Sequence, residues 1–247
     1  INLDLKKIKI TLSPLDFKVD IETLDTEIIF ENKKIVLNSL KTKISLLKLL
    51  KNEFLIDNLI ISSKPIKAKN LVSLIRALKN DPKLLLLEMM VKDGYLEGNI
   101  DLNFDKEGKI KNDYKINGFV KNLELKILKK YHLENSNFIL DIEDKKYRFK
   151  EIDTQFNKIK LNSPSITIIE KDKLFSIKGK ISNNEKNTPF NAVKGLLNNY
   201  FLDLGLMNLN IASDNNFSFD LSKKFKLSNL NISSEINIGK LTYTNKF

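Results

Sequence analysis

Apolar and polar residues alternate with a period of two over most of this chain, and nothing else in it limits the fold so strongly. In LDFKVDI, Leu15, Phe17, Val19 and Ile21 share one parity. In NFSFDLSKKFKLSNLNI the apolar set is Phe217, Phe219 and Leu221, then Phe225 and Leu227, then Leu230 and Ile232. Successive side chains of a strand point to opposite faces, so such runs make strands with one apolar and one wet side, as in antiparallel sheets. The change of parity after Leu227 reads as a break between two strands. Turn-forming clusters punctuate the runs: SP (13–14), FENKK (30–34), DKEGK (105–109), EDKK (143–146), NSPS (162–165), EKDK (170–173), SNNEKN (182–187) and SDNN (213–216). The expected fold is mostly β: a long curved antiparallel sheet, a groove-like meander of hairpins, forming a single section over 1–247.

Three stretches break the alternation and are expected to be short helices, at about 45–52, 70–93 and 189–200. The first has Leu46, Leu47, Leu49 and Leu50 on one side. The second begins with Asn70 as a cap, is interrupted by NDP, restarts at Pro82 and stops at Gly94. The third opens on Thr188–Pro189 and carries Phe190, Val193, Leu196, Leu197 and Tyr200 at helical spacing.

An outline of two lysines, an alternating run, a polar break and a second run recurs in KKIVLNSLKTKI (33–44), KKYRFKEIDTQF (145–156) and KKFKLSNLNISSEINIG (223–239). The spacing is irregular, so it reads as a structural repeat of strand pairs, by which a sheet grows in length.

The formal net charge is +11, which would ordinarily raise nucleic acid or an anionic surface as partners. Yet arginine, whose planar fork suits phosphates and bases, occurs only at Arg76 and Arg148 among 42 basic residues. The Lys, Asn and Ile richness fits an AT-rich genome, and no nucleic-acid partner is expected. Cysteine is absent, which removes disulfides and thiolate chemistry. The longest apolar run, LLLLEMMV (84–91), falls far short of the roughly 20 residues that span a bilayer. The chain opens on Ile1 and already reads as a strand, so any membrane anchor is expected upstream.

No catalytic or metal-binding residues are identified, no cofactor is expected, and the chain is not expected to be an enzyme. His132 is the single histidine, too few for a triad with supporting partners or a histidine metal cage. Asp141, Glu143 and Asp144 read as solvated hairpin tips. Neither a nucleotide fingerprint nor a phosphate loop occurs, and DLNFDKEGKIKND (101–113) misses the acidic positions of a calcium loop.

What remains is apolar surface. The 15 phenylalanines sit mostly on alternating faces. They fill a sandwich core on one reading; on the other, one face of a long sheet stays uncovered and forms a trough for acyl chains. The candidates for such a groove are Phe17, Val19 and Ile21; Tyr147 and Phe149; Ile166 and Ile168; and Phe217, Phe219, Leu221, Phe225, Leu227, Leu230 and Ile232.

The stretch ISLLKLLKNEFLIDNLIISSKPI (44–66) resembles a phrase of the AsmA-like superfamily of Gram-negative envelope proteins, in which a leucine helix, a polar turn, a strand and a proline follow one another. KKYRFKEIDTQFNKIKLNSPSITI (145–168) is similar to the strand–turn–strand phrasing of that family, and the insert at 70–94 favours its YhdP-like branch. The resemblance implies a periplasmic section of a bridge-like lipid transfer protein, tethered to the inner membrane by an upstream anchor. Phospholipid acyl chains would pass along its apolar groove toward the outer membrane and its components. The alternatives are a structural or adhesive β-repeat protein without ligand, and an outer-membrane β-barrel, to which the terminal LTYTNKF draws attention.

Overall fold

The computed structural model describes residues 2–13, 17–31, 33–46, 56–78, 82–105, 107–111, 113–127, 131–172, 174–183, 188–189 and 206–243. The strands among them are β1 (Asn2–Asp4), β2 (Lys7–Ser13), β3 (Lys18–Leu24), β4 (Glu27–Phe30), β5 (Lys33–Ser45), β6 (Ile56–Ser63), β7 (Ile66–Lys67), β8 (Val91–Asn103), β9 (Lys115–Ile127), β10 (Tyr131–Glu143), β11 (Lys146–Phe156), β12 (Ile159–Glu170), β13 (Leu174–Asn183), β14 (Thr188–Pro189), β15 (Leu206–Ser222) and β16 (Leu227–Tyr243). Two helices, α1 (Ala68–Leu78) and α2 (Pro82–Met90), lie between β7 and β8. The protein is mostly β, as the alternation requires. The strand order is β1-β4-β5-β6-β8-β9-β10-β11-β12-β13-β15-β14, with β3 also on β5, β2 on β3, β7 on β8 and β16 on β15.

Tight turns explain why so many neighbours in sequence are neighbours in the sheet. Asp144 and Lys145 have φ of 49° and 59°, and Asn157 and Lys158 have 48° and 70°. Two consecutive residues with positive φ make the two-residue hairpin turn whose twist matches that of the flanking strands. These turns join β10 to β11 and β11 to β12. Lys145 and Lys223–Lys224 of the recurring outline occupy turns, and Lys33 begins β5 directly after one.

Two of the expected turns lie inside strands. NSPS (162–165) is an irregularity within β12, where the register to β13 shifts between Asn162 and Ile166. Pro164 has no N–H to give to a ladder, so an interruption in the pairing accommodates it. SDNN (213–216) runs through the middle of β15. Its polar side chains bond sideways rather than turning the chain: Asp214 accepts from the Ser182 hydroxyl, and Asn215 Nδ2 donates to the Ile181 carbonyl at 3.2 Å. The change of parity after Leu227 is likewise no break between strands, because β16 is continuous from Leu227 to Tyr243. Asn229, with φ of 52°, is a bulge that turns the following residues over.

The helical stretch expected at 70–93, interrupted at NDP, is α1 and α2; α1 begins at Ala68, so Asn70 lies inside it rather than capping it, and Val91 already begins β8. The expected helix at 45–52 lies, from residue 47 on, outside the described residues, and Ser45 ends β5. Of the one expected at 189–200, Pro189 is in a strand paired to Asn208 of β15, and 190–200 lie outside the described residues.

The residues pack as two compact units, Ile1–Lys121 with Ile139–Tyr147, and Asn122–Phe138 with Arg148–Phe247. In the first, Phe30, Ile35, Leu37, Ile66 and Leu74 form a buried cluster, with Ile28, Leu40, Ile61 and Leu71 against it. Helix α1 thereby covers part of one sheet face. Glu88 of α2 ties it to α1, accepting from the Ser73 hydroxyl and from Arg76 Nε at 2.6 Å.

Candidate functional site

The period-two pattern becomes functional geometry only once the strands are in register. In the first unit, Ile10, Ile21, Thr42, Leu59 and Leu102 align across β2, β3, β5, β6 and β8. Leu12, Val19 and Ile44 form the row beside it. The intervening residues carry the opposite, wet face, where Lys41 pairs with Glu22 at 3.0 Å and Lys43 with Asp20 at 3.7 Å. Exposed pairs of this sort contribute only about 0–1 kcal/mol each, so they mark the solvent side more than they stabilise it.

In the second unit one sheet face is apolar and hollowed. Residues with positive φ fall within three consecutive strands, Asn122 in β9, Asn135 in β10 and Glu151 in β11, and the register of β12 against β13 shifts between Asn162 and Ile166. Across these strands lies a trough of about 570 Å³, within the roughly 300–1,000 Å³ typical of small-molecule sites.

Leu123 and Leu125 of β9 form one wall of the trough, and Leu133, Ser136 and Phe138 of β10 continue it. Phe149, Ile152, Thr154 and Phe156 of β11 follow, then Leu161, Asn162, Ser163 and Ile166 of β12, and Ile181 of β13. The surface they offer is apolar. Phe138 and Phe149 meet edge to face, with ring centroids 5.6 Å apart and an interplanar angle of 65°. Tyr131 and Phe156 stack at 5.8 Å. The hydroxyls of Ser136 and Thr154 bond to each other at 2.6 Å, which lets two polar residues sit buried in this lining.

The apolar face continues past the trough. Ile166, Gly179, Phe217 and Ile232 align across β12, β13, β15 and β16, and Ile168, Ile177 and Phe219 form the next row. The Phe217 and Phe219 rings stack at 6.0 Å. At the end of this row β16 leaves Leu230, Ile232, Ile236 and Ile238 more than half exposed.

The other face of β15 is polar. Asp214 is held below the usual carboxylate range by its bond from Ser182 and then by Lys180, and Asp220 by Asn229 and then Ser176. Both therefore stay charged at neutral pH. Of the acidic residues expected at hairpin tips, only Asp144 is at one. Asp141 and Glu143 lie within β10, where Asn117 and Lys115 of β9 reach them.

Among the proposed groove residues, Phe149 and Ile166 line the trough. Phe217, Phe219 and Leu221 extend its face, with Ile168, Leu227, Leu230 and Ile232. Val19 and Ile21 belong to the apolar rows of the first unit, and Tyr147 lies on the part of β11 that packs there. Phe17 and Phe225 are not on strand faces. Both have positive φ, 51° and 59°, in the chain just ahead of β3 and β16, and Phe225 is 78 % exposed.

Alternation could not find Leu133 with Phe138, or Phe149 with Ile152, because their spacings are odd across the positive-φ residues Asn135 and Glu151. The available signal was the parity change itself, centred on an asparagine in ENSN and on Glu151 in FKEI. His132 is half-buried near the start of β10; its backbone N–H donates to Asn157 Oδ1 and its carbonyl accepts from the Asn157 backbone N–H, both at 2.8 Å. No group of three or more His, Cys, Asp or Glu that could hold a metal ion occurs among the described residues. No described helix is long and apolar enough to cross a membrane. Comparison with protein-family models, curated proteins and solved structures returns no match.

Proposed function

We propose that this chain is a non-enzymatic lipid-binding section of an envelope-spanning bridge, in which phospholipid acyl chains pass along an apolar sheet face from inner to outer membrane. The observation that carries this reading is the trough of about 570 Å³ on one face of the second unit, continued by apolar rows to β16 while the opposite face bears charged and amide side chains. Burying an acyl chain is favourable by about 0.8 kcal/mol per methylene. Interchangeable Leu, Ile and Phe side chains make that gain similar from place to place, so a chain moves without a deep well to escape. The AsmA-like phrasing at 44–66 supports the same reading and adds a periplasmic setting with an upstream inner-membrane tether. An open strand order, with β2 and β16 each paired to a single strand among the described residues, weighs against an outer-membrane barrel.

The test is to purify the chain from a Gram-negative host, extract it and analyse the extract by mass spectrometry. Stoichiometric phospholipid is expected, with saturable binding of a fluorescent acyl probe. A lipid-free protein that binds no probe would instead leave the ligand-free structural repeat as the better account.

A further inference from the structure

Three hydroxyl side chains interrupt the hydrocarbon lining of the trough, Ser136, Thr154 and Ser163. Two are occupied with each other. Thr154 Oγ1 lies 3.4 Å from the Glu134 carbonyl oxygen and 2.6 Å from Ser136 Oγ, so Thr154 donates to the backbone and Ser136 donates to Thr154. Ser163 differs. It is 5 % exposed, and its Oγ is the one buried side-chain oxygen without a hydrogen-bond partner among the described residues. Buried hydroxyls are nearly always partnered, and one that is not needs a reason.

The surroundings limit what the partner is. Hydrocarbon side chains offer neither donor nor acceptor. A bridging water needs two to four polar partners, and the other two hydroxyls of the lining, Ser136 and Thr154, already have their protons committed. Ser163 precedes Pro164 in the irregular part of β12, between Asn162 and Ile166. Its Oγ has essentially no exposed area, so meeting a ligand in the trough takes a change of χ1 rotamer. The open valence is therefore a proton to give to an oxygen brought by the ligand. No lysine or arginine lines the trough, so an ionised carboxylate there would lose its hydration uncompensated. A neutral carbonyl oxygen meets no such penalty.

We propose, on the reading that the trough holds lipid, that Ser163 donates a hydrogen bond to the ester carbonyl of an acyl chain as it passes, so that the ligand is an O-acyl lipid. The ester sits at Ser163, and its hydrocarbon runs over Phe149, Ile152 and Leu133.

The test compares two fluorescent probes on the 247-residue chain: methyl cis-parinarate, which carries an ester, and diphenylhexatriene, a hydrocarbon. Ser163→Ala is expected to weaken the methyl ester by about 2- to 13-fold, the span of a typical net hydrogen bond, and to leave diphenylhexatriene within twofold. Ser136→Ala, at an already satisfied pair, is expected to leave the ratio of the two affinities unchanged. The infrared carbonyl band of bound methyl ester should lie below its position in hydrocarbon, and return toward it in Ser163→Ala. An unchanged ester affinity, or equal losses for both probes, overturns the assignment to Ser163 while the lipid trough stands. Failure of the wild-type chain to bind either probe removes the trough reading, and this proposal with it.

Discussion

Ile166 and Phe217 close over Gly179 from the strands on either side, so that a Cβ on Gly179 would stand 2.9 Å from Ile166 Cγ1 and 3.0 Å from Phe217 Cζ. The Ser165 carbonyl oxygen is 3.0 Å from the same point. The missing side chain is what lets two larger ones share this row. Gly179→Val is expected to cost about 1–3 kcal/mol through overpacking and to weaken acyl-probe binding. Urea denaturation checks the first, and a variant as stable as wild type would show that the row has slack.

Phe138 and Phe149 form the aromatic contact across β10 and β11 in the trough. An edge-to-face pair contributes about 0.5–1.5 kcal/mol beyond the area it buries. A double-mutant cycle with Phe138→Ala and Phe149→Ala is expected to give a coupling of that size. Each single variant should also bind acyl probe more weakly, because each removes hydrocarbon from the lining. Additive stability losses would mean that the rings pack on other groups more than on each other.

Glu88 joins the two helices, and its carboxyl is held below its ordinary value of 4.5 by the bond from Ser73, against the opposing effect of burial, with Arg76 adding to the lowering. A carboxylate with a depressed folded pKa contributes stability that is fully present above its unfolded pKa and is lost as pH falls through the folded value. The melting temperature of wild type relative to Glu88→Gln should therefore be highest near neutral pH. The difference should narrow on acidification below 4.5. A gap that stays constant from about pH 6 to pH 3 would remove Glu88 from the account of acid sensitivity.

Ile236, 55 % exposed on β16, sits on a strand with one partner among the described residues. Long apolar edge strands pair with other chains unless they carry charge. Ile236→Lys is expected to reduce concentration-dependent self-association in sedimentation velocity and to change the unfolding midpoint little. If association is unaltered, another surface drives it. The exposed Leu86 and Met89 of α2 are then the next to replace.

Much of the architecture was legible because hairpins are local. The pattern in LDFKVDI and NFSFDLS gives β3 and β15, and Asp144–Lys145 is a turn whose two residues both adopt positive φ. The errors fell where local polarity and tertiary role part company. SDNN has turn composition, yet Asp214 and Asn215 find partners on β13 and the strand continues through them. Phe225 continues the apolar rhythm, yet lies just ahead of β16 with its ring in water. In ENSN and FKEI the rhythm fails at Asn135 and Glu151, and both adopt positive φ within strands that line the trough.

By itself the sequence determined that the chain is a succession of hairpins with one greasy and one charged side, since a period of two and the turn residues act over a few positions. Only the tertiary structure decided that Leu133, Ser136, Phe149, Ile152 and Ser163 share one concave wall. That depended on how each strand pairs with its neighbour, and register belongs to the pair of strands rather than to either one.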